Sequence, residues 1–513
     1  MKMDKQKIEN LKAIIQKIYL EDDIPWVVGY SGGKDSTATL QLVWLALAEL
    51  GGEKLHKDIH VICTDTLVES PVVANWVIAS LENMERAAKE QKLRIKTHRL
   101  TPEIEDTYWV NLIGRGYPYP RINFRWCTER LKIRPSNKFV QEMVSKHGEV
   151  IMVLGTRKAE SNNRMRTMTK YEQLRVRDFL SPNSTILNEL IFSPLEDWSN
   201  DDVWMFLMQY PNPWGYSNKD LLSMYRGATA DGECPLVRNT NTPSCGKSRF
   251  GCWVCTLVEK DKSMEAMIQN DEEKVWMTPL LDFRNEIGNP ELDRSRRDFR
   301  RMKGNLHLYK GRLVHGPYKK EVRQEWLKRL LSIQLEINRT GPKEFKNFKL
   351  ITDEELSVIR RIWVDEKHEF EDALPDIYKE ITGNEFIDTM KPNSSIFHKK
   401  EWDLLQQVCK EKYPEEELLP QLQAALIDIE SASSNMRYRG GILKNIELEI
   451  RKSFYKNEED AQKFALAKLH RKQEFGGNYD SEADIPEEED IPEEEDIPEE
   501  EDIPEEVEDE ELC

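Results

Sequence analysis

The sequence predicts an α/β protein with a doubly wound parallel sheet, a mainly α-helical C-terminal extension and a disordered acidic tail. Three observations carry this. Apolar runs of strand length alternate with helix-length segments near the front of the chain; helical periodicity alone persists past about residue 275; and residues 480–513 form an acidic repeat without Lys or Arg. Strand and helix in alternation argue for parallel pairing, because parallel strands need a crossover between them.

The elements follow in order. A charged amphipathic helix opens the chain, with Ile8, Leu11, Ile15 and Ile18 on one face. Strands are expected at 26–30, 59–64, 93–98 and 150–154, with helices at 36–50 and 71–91 and a longer excursion before the fourth strand. Ligands of such sheets sit beyond the carboxyl ends of the strands. Ser199 with Asp202 caps a helix carrying Trp204, and Thr352 with Glu355 forms a capping box ahead of Leu356, Ile359 and Trp363. The expected divisions are 1–230 for the α/β domain, 231–275 for a cysteine-rich segment, 276–345 for a basic segment, 346–478 for a helical region and 479–513 for the tail.

Composition narrows the classes. The chain of 513 residues is 39% hydrophobic and 33% charged, enough for a sizeable core and more than one domain. The apolar run Leu42–Ala48 is too short to span a bilayer, and the N-terminus lacks the apolar stretch of a signal peptide. Eight cysteines, four of them crowded between 234 and 255, suggest reduced thiols and a metal, hence a cytoplasmic protein without a membrane partner. The net charge of −19 misleads: taking away the 21 acidic residues of 480–513 leaves +2. That tail repeats Asp-Ile-Pro-Glu-Glu-Glu and has too little to bury to offset its ordering entropy. It reads as a solubilising appendage, or as a decoy for nucleic acid on a basic surface.

Two motifs carry chemistry. Ser31-Gly32-Gly33-Lys34-Asp35-Ser36 lies between the first strand and a helix. Glycines admit close approach, backbone amides form an anion nest, and the helix N-terminus adds its dipole. Lys34 adds a charge, and Ser31 and Ser36 add hydroxyls. This is a phosphate cradle, but the spacing is not that of a Walker loop. The second motif is Cys234-x10-Cys245-x6-Cys252-x2-Cys255, with Gly232, Gly246 and Gly251 easing tight turns. Zinc favours two close pairs and only Cys252/Cys255 is one, so the wide loops suit an iron–sulfur cluster better. A third stretch, Arg294–Arg329, holds 13 Lys/Arg against three acids, with Phe299, Tyr309, Tyr318 and Trp326 interleaved. It reads equally as a nucleic-acid surface or as a solvated helix face over a buried stripe of Val322, Trp326 and Ile333. Isolated histidines such as His98 and His368 read as structural.

The Ser31–Ser36 loop resembles that of the PP-loop ATP pyrophosphatases, which cleave ATP between its α and β phosphates and leave an adenylated intermediate. Further segments resemble the branch containing PAPS reductase: Cys63-Thr64-Asp65-Thr66 with Glu69-Ser70-Pro71; Trp126-Cys127-Thr128-Glu129-Arg130-Leu131-Lys132; Gly155-Thr156-Arg157 through Arg164; and Ser193–Trp198 with Asp202-Val203-Trp204. The resemblance implies that Ser31, Gly32, Gly33, Lys34, Asp35, Ser36, Asp65 and Gly155 hold ATP. It also implies that Lys34, Arg157 and Arg164 act on its phosphates with Mg²⁺. Combined with the cysteine quartet and the long extension, residues 10–330 resemble the DndC family of DNA-phosphorothioation sulfurtransferases. That resemblance implies DNA as acceptor, a cysteine desulfurase as sulfur source, DndD and DndE as partners, and a 4Fe–4S cluster on Cys234, Cys245, Cys252 and Cys255. Cys127 is the candidate internal sulfur relay, with Arg125 and Arg130 nearby in sequence to favour its thiolate. The rival readings are a sulfonucleotide reductase, a tRNA thiolase and a non-catalytic DNA-binding scaffold.

Overall fold

The computed structural model describes residues 3–183, 185–228, 251–389, 399–416, 418–434 and 441–474. Cys234, Cys245 and the acidic tail lie outside these residues. The chain divides into two compact units, one holding residues up to 103 and 121–284, the other 104–120 and the described residues between 285 and 474. Among the described residues no helix is long and apolar enough to cross a membrane.

The first unit opens with α1 (Lys5–Glu21), β1 (Trp26–Gly29), α2 (Lys34–Ala48), β2 (Ile59–Thr64), α3 (Pro71–Glu90) and β3 (Ile95–Leu100). After the excursion come α4 (Trp126–Thr128), α5 (Arg134–His147), β4 (Val150–Val153), α6 (Asn162–Glu172), β5 (Leu180–Pro182) and β6 (Glu189–Phe192). It closes with α7 (Asn200–Gln209), α8 (Asn218–Gly227), α9 (Lys262–Asn270) and most of α10 (Thr278–Ile287). Six strands lie in the order β3-β2-β1-β4-β6-β5, parallel except for β5. Val27 and Val28 of β1 point to opposite faces and are both fully buried, as a central strand requires. One face packs on α1, α2, α3, α7 and α8 through Ile15, Leu40, Met84, Phe206 and Leu221; the other packs on α5 through Val140 and Met143. Because β1 pairs with β2 on one side and β4 on the other, strand order reverses there and opens the crevice where such folds bind ligands.

The predicted strands and helices stand where the alternation places them. The two short strands β5 and β6 had no signal of their own: each is three or four residues long, and Phe179 and Asn188 beside them adopt φ of 66° and 63°. Both capping boxes, Ser199/Asp202 and Thr352/Glu355, are formed.

The second unit contains α11 (Pro290–Arg296), the small hairpin of β7 (Leu308–Tyr309) and β8 (Arg312–Leu313), α12 (Lys320–Thr340), α13 (Asp353–Arg361) and α14 (Ala373–Thr382). It ends with α15 (Lys399–Lys412), α16 (Leu419–Ser434), α17 (Ile442–Lys452) and α18 (Glu458–Glu474). Its centre includes the excursion that follows β3. Tyr108, Trp109, Val110, Leu112 and Ile113 are all buried, the last three in a π-helical turn over Val110–Arg115. Trp109 donates its indole N–H to the Leu350 carbonyl at 2.8 Å, and Trp363 donates to that of Ile113 at 3.0 Å.

The basic stretch serves this unit as internal framework. Arg297 is buried, pairs with Asp293 at 3.2 Å and donates to the carbonyls of Gly316, at 2.7 Å, and His315. The Tyr318 hydroxyl donates to the same Asp293 at 2.7 Å. At least eight of the thirteen cations, Arg294, Arg296, Arg297, Arg300, Lys320, Arg323, Lys328 and Arg329, form ion pairs within the unit. The aromatics Tyr318 and Trp326 are buried and packed edge to face, 4.6 Å between centroids. Much of the charge of Arg294–Arg329 is therefore paired within the unit. Removing one partner of a buried ion pair leaves the other desolvated and unpaired, so Arg297→Ala should destabilise the unit by about 3–5 kcal/mol. Chemical denaturation followed by tryptophan fluorescence checks this; an unchanged midpoint would show that Asp293 is solvated without Arg297.

Candidate active site

The Ser31–Ser36 loop is held in shape by its own hydroxyls and by α3. Gly32 adopts φ +75°, and a Cβ there would stand 2.5 Å from Cγ2 of Val77 on α3, so both backbone and space demand glycine. Gly33 caps α2 without a side-chain hydrogen bond, which leaves the first amides of a 15-residue helix directed at the loop. Ser36 Oγ donates to the Gly33 carbonyl, accepts from the Ser31 amide and meets Ser31 Oγ, each at 3.1 Å. These hydroxyls fold the loop upon itself.

Asp35 ties the cradle to the sheet. Its carboxylate receives Lys34 Nζ at 3.0 Å on one oxygen and Arg157 Nε at 2.7 Å on the other. Arg157 is 3% exposed and also donates to the Trp198 carbonyl at 3.1 Å. Gly155, just beyond β4, admits the close approach this needs: a Cβ there would lie 2.9–3.0 Å from backbone atoms of Asp35 and Ser36. The expectation that Arg157 forks onto phosphate is thus corrected. Its guanidinium is buried against Asp35, so it supports the loop from behind. Arg164 stands apart on α6, half-exposed and paired with Glu160 at 3.2 Å. Asp65, expected near the nucleotide, caps a turn: it accepts from the Leu67 amide and from Arg99 Nε, both at 2.8 Å.

Tyr225 gave no sequence signal. It lies 191 positions from Lys34, yet its hydroxyl accepts the Lys34 amide N–H at 3.2 Å, and a Cβ on Gly33 would be 3.3 Å from it. Burial drives its hydroxyl pKa upward, so it remains a neutral hydrogen-bonding group beside the nest.

A thiol corner adjoins the carboxyl end of β2. Residues 251–253 pair with 68–70: Trp253 N donates to Val68 O at 3.0 Å and Ser70 N to Gly251 O at 3.3 Å. This sets Cys252 Sγ 3.2 Å from Thr66 Oγ1. A tight turn, Cys255 N to Cys252 O at 3.0 Å, brings in the second thiol, and buried Arg284 gathers the carbonyls of Cys255, Val258 and Glu259. Burial pushes the Cys252 thiol up to about 12, and Cys63 likewise. Burial also raises the carboxyl of Glu69 to about 7 against the pull of Lys132, another group that sequence reasoning had not singled out as perturbed. The expectation of a thiolate at Cys127 is not met: burial first, then neighbouring Cys255, pushes it up to about 11. Arg125 instead turns its Nε–H to the Ile122 carbonyl at 2.8 Å.

Buried thiols of this kind ionise when a metal supplies the positive charge, so the donor chemistry fits an iron–sulfur group. Cys252 and Cys255 would supply half of a four-cysteine set, with Cys234 and Cys245 outside the described residues. Among the described residues no three ligand side chains are placed to hold a metal.

Comparison with known proteins defines the class. Residues 25–214 match the family model of the phosphoadenosine phosphosulfate reductase domain. This part of the chain is a PAPS reductase-like domain of the PP-loop ATP pyrophosphatase kind. The chain is 28% identical over 267 residues to an uncharacterised protein of Methanocaldococcus jannaschii, covering 52% of this chain and 43% of that protein. It thus spans less than half the length of that relative. Among solved structures it is similar to a phosphate complex of PAPS reductase from Candida auris, at 11% identity over 41% of this chain and 88% of that one, TM-score 0.26. It is also similar to the U34-tRNA thiolase NcsA from Methanococcus maripaludis with its 4Fe-4S cluster, at 12% identity over 56% and 78%, TM-score 0.27.

If the Tyr225 hydroxyl belongs to the cradle, Tyr225→Phe should weaken pyrophosphate binding roughly three- to tenfold, the worth of one hydrogen bond. Isothermal titration calorimetry reads this, and a matching melting temperature separates it from lost packing.

Proposed function

We propose that this protein is an adenylating sulfurtransferase whose acceptor is a backbone phosphate of DNA. The observation that carries the reading is the position of the thiol corner: it lies at the carboxyl end of β2, beside β1, whose own carboxyl end bears the phosphate cradle. A loop that holds pyrophosphate and a group of cysteines on adjacent strand ends suit a reaction that first activates an oxygen and then replaces it.

The chemistry runs in two displacements. A non-bridging oxygen of the acceptor attacks the α-phosphorus of ATP, and pyrophosphate leaves toward the amides of α2 and Lys34. Lys34 is held for this by its contact with Asp35. The terminal sulfur of a persulfide then attacks the adenylated phosphate and AMP departs, a far better leaving group than oxide; a second thiol releases the phosphorothioate by exchange and is left in a disulfide. Mg²⁺ would ride on the phosphates and offset their charge, because Asp35 is committed to Arg157 and Lys34. A 4Fe–4S cluster on Cys234, Cys245, Cys252 and Cys255 would supply structure or electrons, its four irons each having a cysteine. The sulfur donor in this reading is a cysteine desulfurase, with DndD- and DndE-like proteins completing the assembly. The sulfonucleotide reductase reading needs a nucleophilic cysteine late in the chain. Cys409 is buried in α15, its Sγ 3.5 Å from Gln423, and Cys513 lies outside the described residues; neither sits in the Glu-Cys-Gly context of that group.

Purified protein should convert ATP to AMP and pyrophosphate, and Lys34→Ala should lose about 2–4 kcal/mol of transition-state stabilisation. ADP as main product would refute the adenylation step. Phosphorothioate dinucleotides should appear by mass spectrometry in DNA from cells carrying the protein and its partners, and vanish with Lys34→Ala.

The thiols divide in the same scheme. Cys252→Ser should abolish the brown absorbance of protein prepared without oxygen, whereas Cys127→Ser should keep the colour and lose phosphorothioation. Full phosphorothioation by Cys127→Ser would mean that sulfur arrives directly from a partner. A colourless wild type with one zinc per chain would overturn the cluster.

A further inference from the structure

A cavity of about 620 Å³ opens in the first unit between the start of α3, α8, and α9 with the turn that follows it. The helices around it also clamp the phosphate cradle. Trp76 of α3 lines the cavity and stands 3.6 Å from where a Cβ of Gly32 would be, while α8 carries both the lining residue Met224 and Tyr225, which holds the Lys34 amide. The cavity is therefore a neighbour of the cradle. It flanks α3, on the β2 side, away from the β1/β4 crevice at which strand order reverses.

Its lining says what it would take. Trp76 and Tyr216 meet edge to face, with centroids 4.3 Å apart and planes at 87°, an arrangement that occupies one face of one ring and leaves aromatic surface to stack on. The Trp76 indole N–H is buried without an acceptor. Around the aromatics stand amide and carboxylate groups, Asn75 and Asp220 among them. The lining cation, Lys274, is spent on Asp271 at 2.9 Å. A site with aromatic walls, hydrogen-bonding amides, a carboxylate and no uncommitted cation among its described lining residues repels phosphate and suits a flat heterocycle bearing N–H donors.

We propose that this cavity receives an unpaired nucleobase of the acceptor strand, next to the phosphate undergoing reaction. The proposal rests on the reading of a nucleic-acid acceptor given above. A base extruded from the stack beside the reacting phosphate needs a stacking partner to offset its lost pairing. Tyr216 and Trp76 supply the stack, and Asp220 accepts from ring or exocyclic N–H groups.

The test uses the full chain and two fluorescent single strands of equal length and charge, one with bases and one of abasic sugar-phosphate units, in anisotropy titrations at fixed salt. Wild type should bind the base-bearing strand roughly five- to a hundredfold more tightly, the range for one stacked base. Tyr216→Ala should lose most of that preference, and so should Asp220→Ala, an exposed substitution that spares the core. Affinity for the abasic strand and for pyrophosphate should stay unchanged in both. Variants that keep the wild-type preference would overturn the cavity assignment alone. Variants that weaken ATP and leave the oligonucleotide untouched would overturn it too, by making this the base site of ATP. A wild type that binds neither strand would instead bring down the nucleic-acid acceptor itself.

Discussion

The carboxylate of Asp35, shared between Lys34 and Arg157, is the constraint on which the candidate site depends. A loop that must offer its amides to phosphate can have little side chain of its own, so its geometry has to be imposed from elsewhere. Arg157 imposes it from β4's side of the crevice, the Ser31–Ser36 hydroxyls from within, and Val77 of α3 from below Gly32. Gly155 matters for the same reason: any side chain there would push the β4 loop away from the backbone of Asp35 and Ser36. A buried guanidinium is costly to desolvate, and this one recovers that cost through the carboxylate and the Trp198 carbonyl.

The thiol corner is organised by different means. Backbone pairing of 251–253 with 68–70 fixes it, with Thr66 Oγ1 beside Cys252 Sγ and Arg284 collecting three carbonyls of the following turn. The result is a low-dielectric spot in which thiols and Glu69 alike resist ionisation. Whatever positive group enters there reverses that preference, so charge at the corner and occupancy of the corner are linked.

Much of this was legible in the sequence because it is local. The cradle, the first four strands and both capping boxes are encoded within a few residues each, by glycine, by apolar runs and by Ser or Thr three positions ahead of an acid. What was not legible is long-range. Tyr225 reaches Lys34 from the far end of the domain, and nothing about an isolated tyrosine reveals that its hydroxyl will meet a helix N-terminus. The basic stretch shows the same limit, since its partners Glu369, Glu371, Glu380 and Glu458 are scattered along the chain, and a local charge count cannot see them. Arg157 and Asp65 were placed near the right strand ends, but which way each side chain turns depended on Asp35 and Arg99, chosen by packing.

The excursion 104–120 gives the chain an unusual order of assembly during synthesis. Its apolar residues are made early, after β3, yet their partners in α12 and α13 follow more than two hundred residues later. At the ribosome's pace of about 5–20 residues per second, Tyr108 to Ile113 wait on the order of 10–50 s without their core. During that time the first unit can close around the gap, since its own strands on either side pair through β1, while the π-helical segment stays a sticky loop. Nascent chains stalled between residues 130 and 320 would therefore be the ones most in need of a chaperone. A break at any single linker would also fail to yield two independent domains, because the path passes between the units three times.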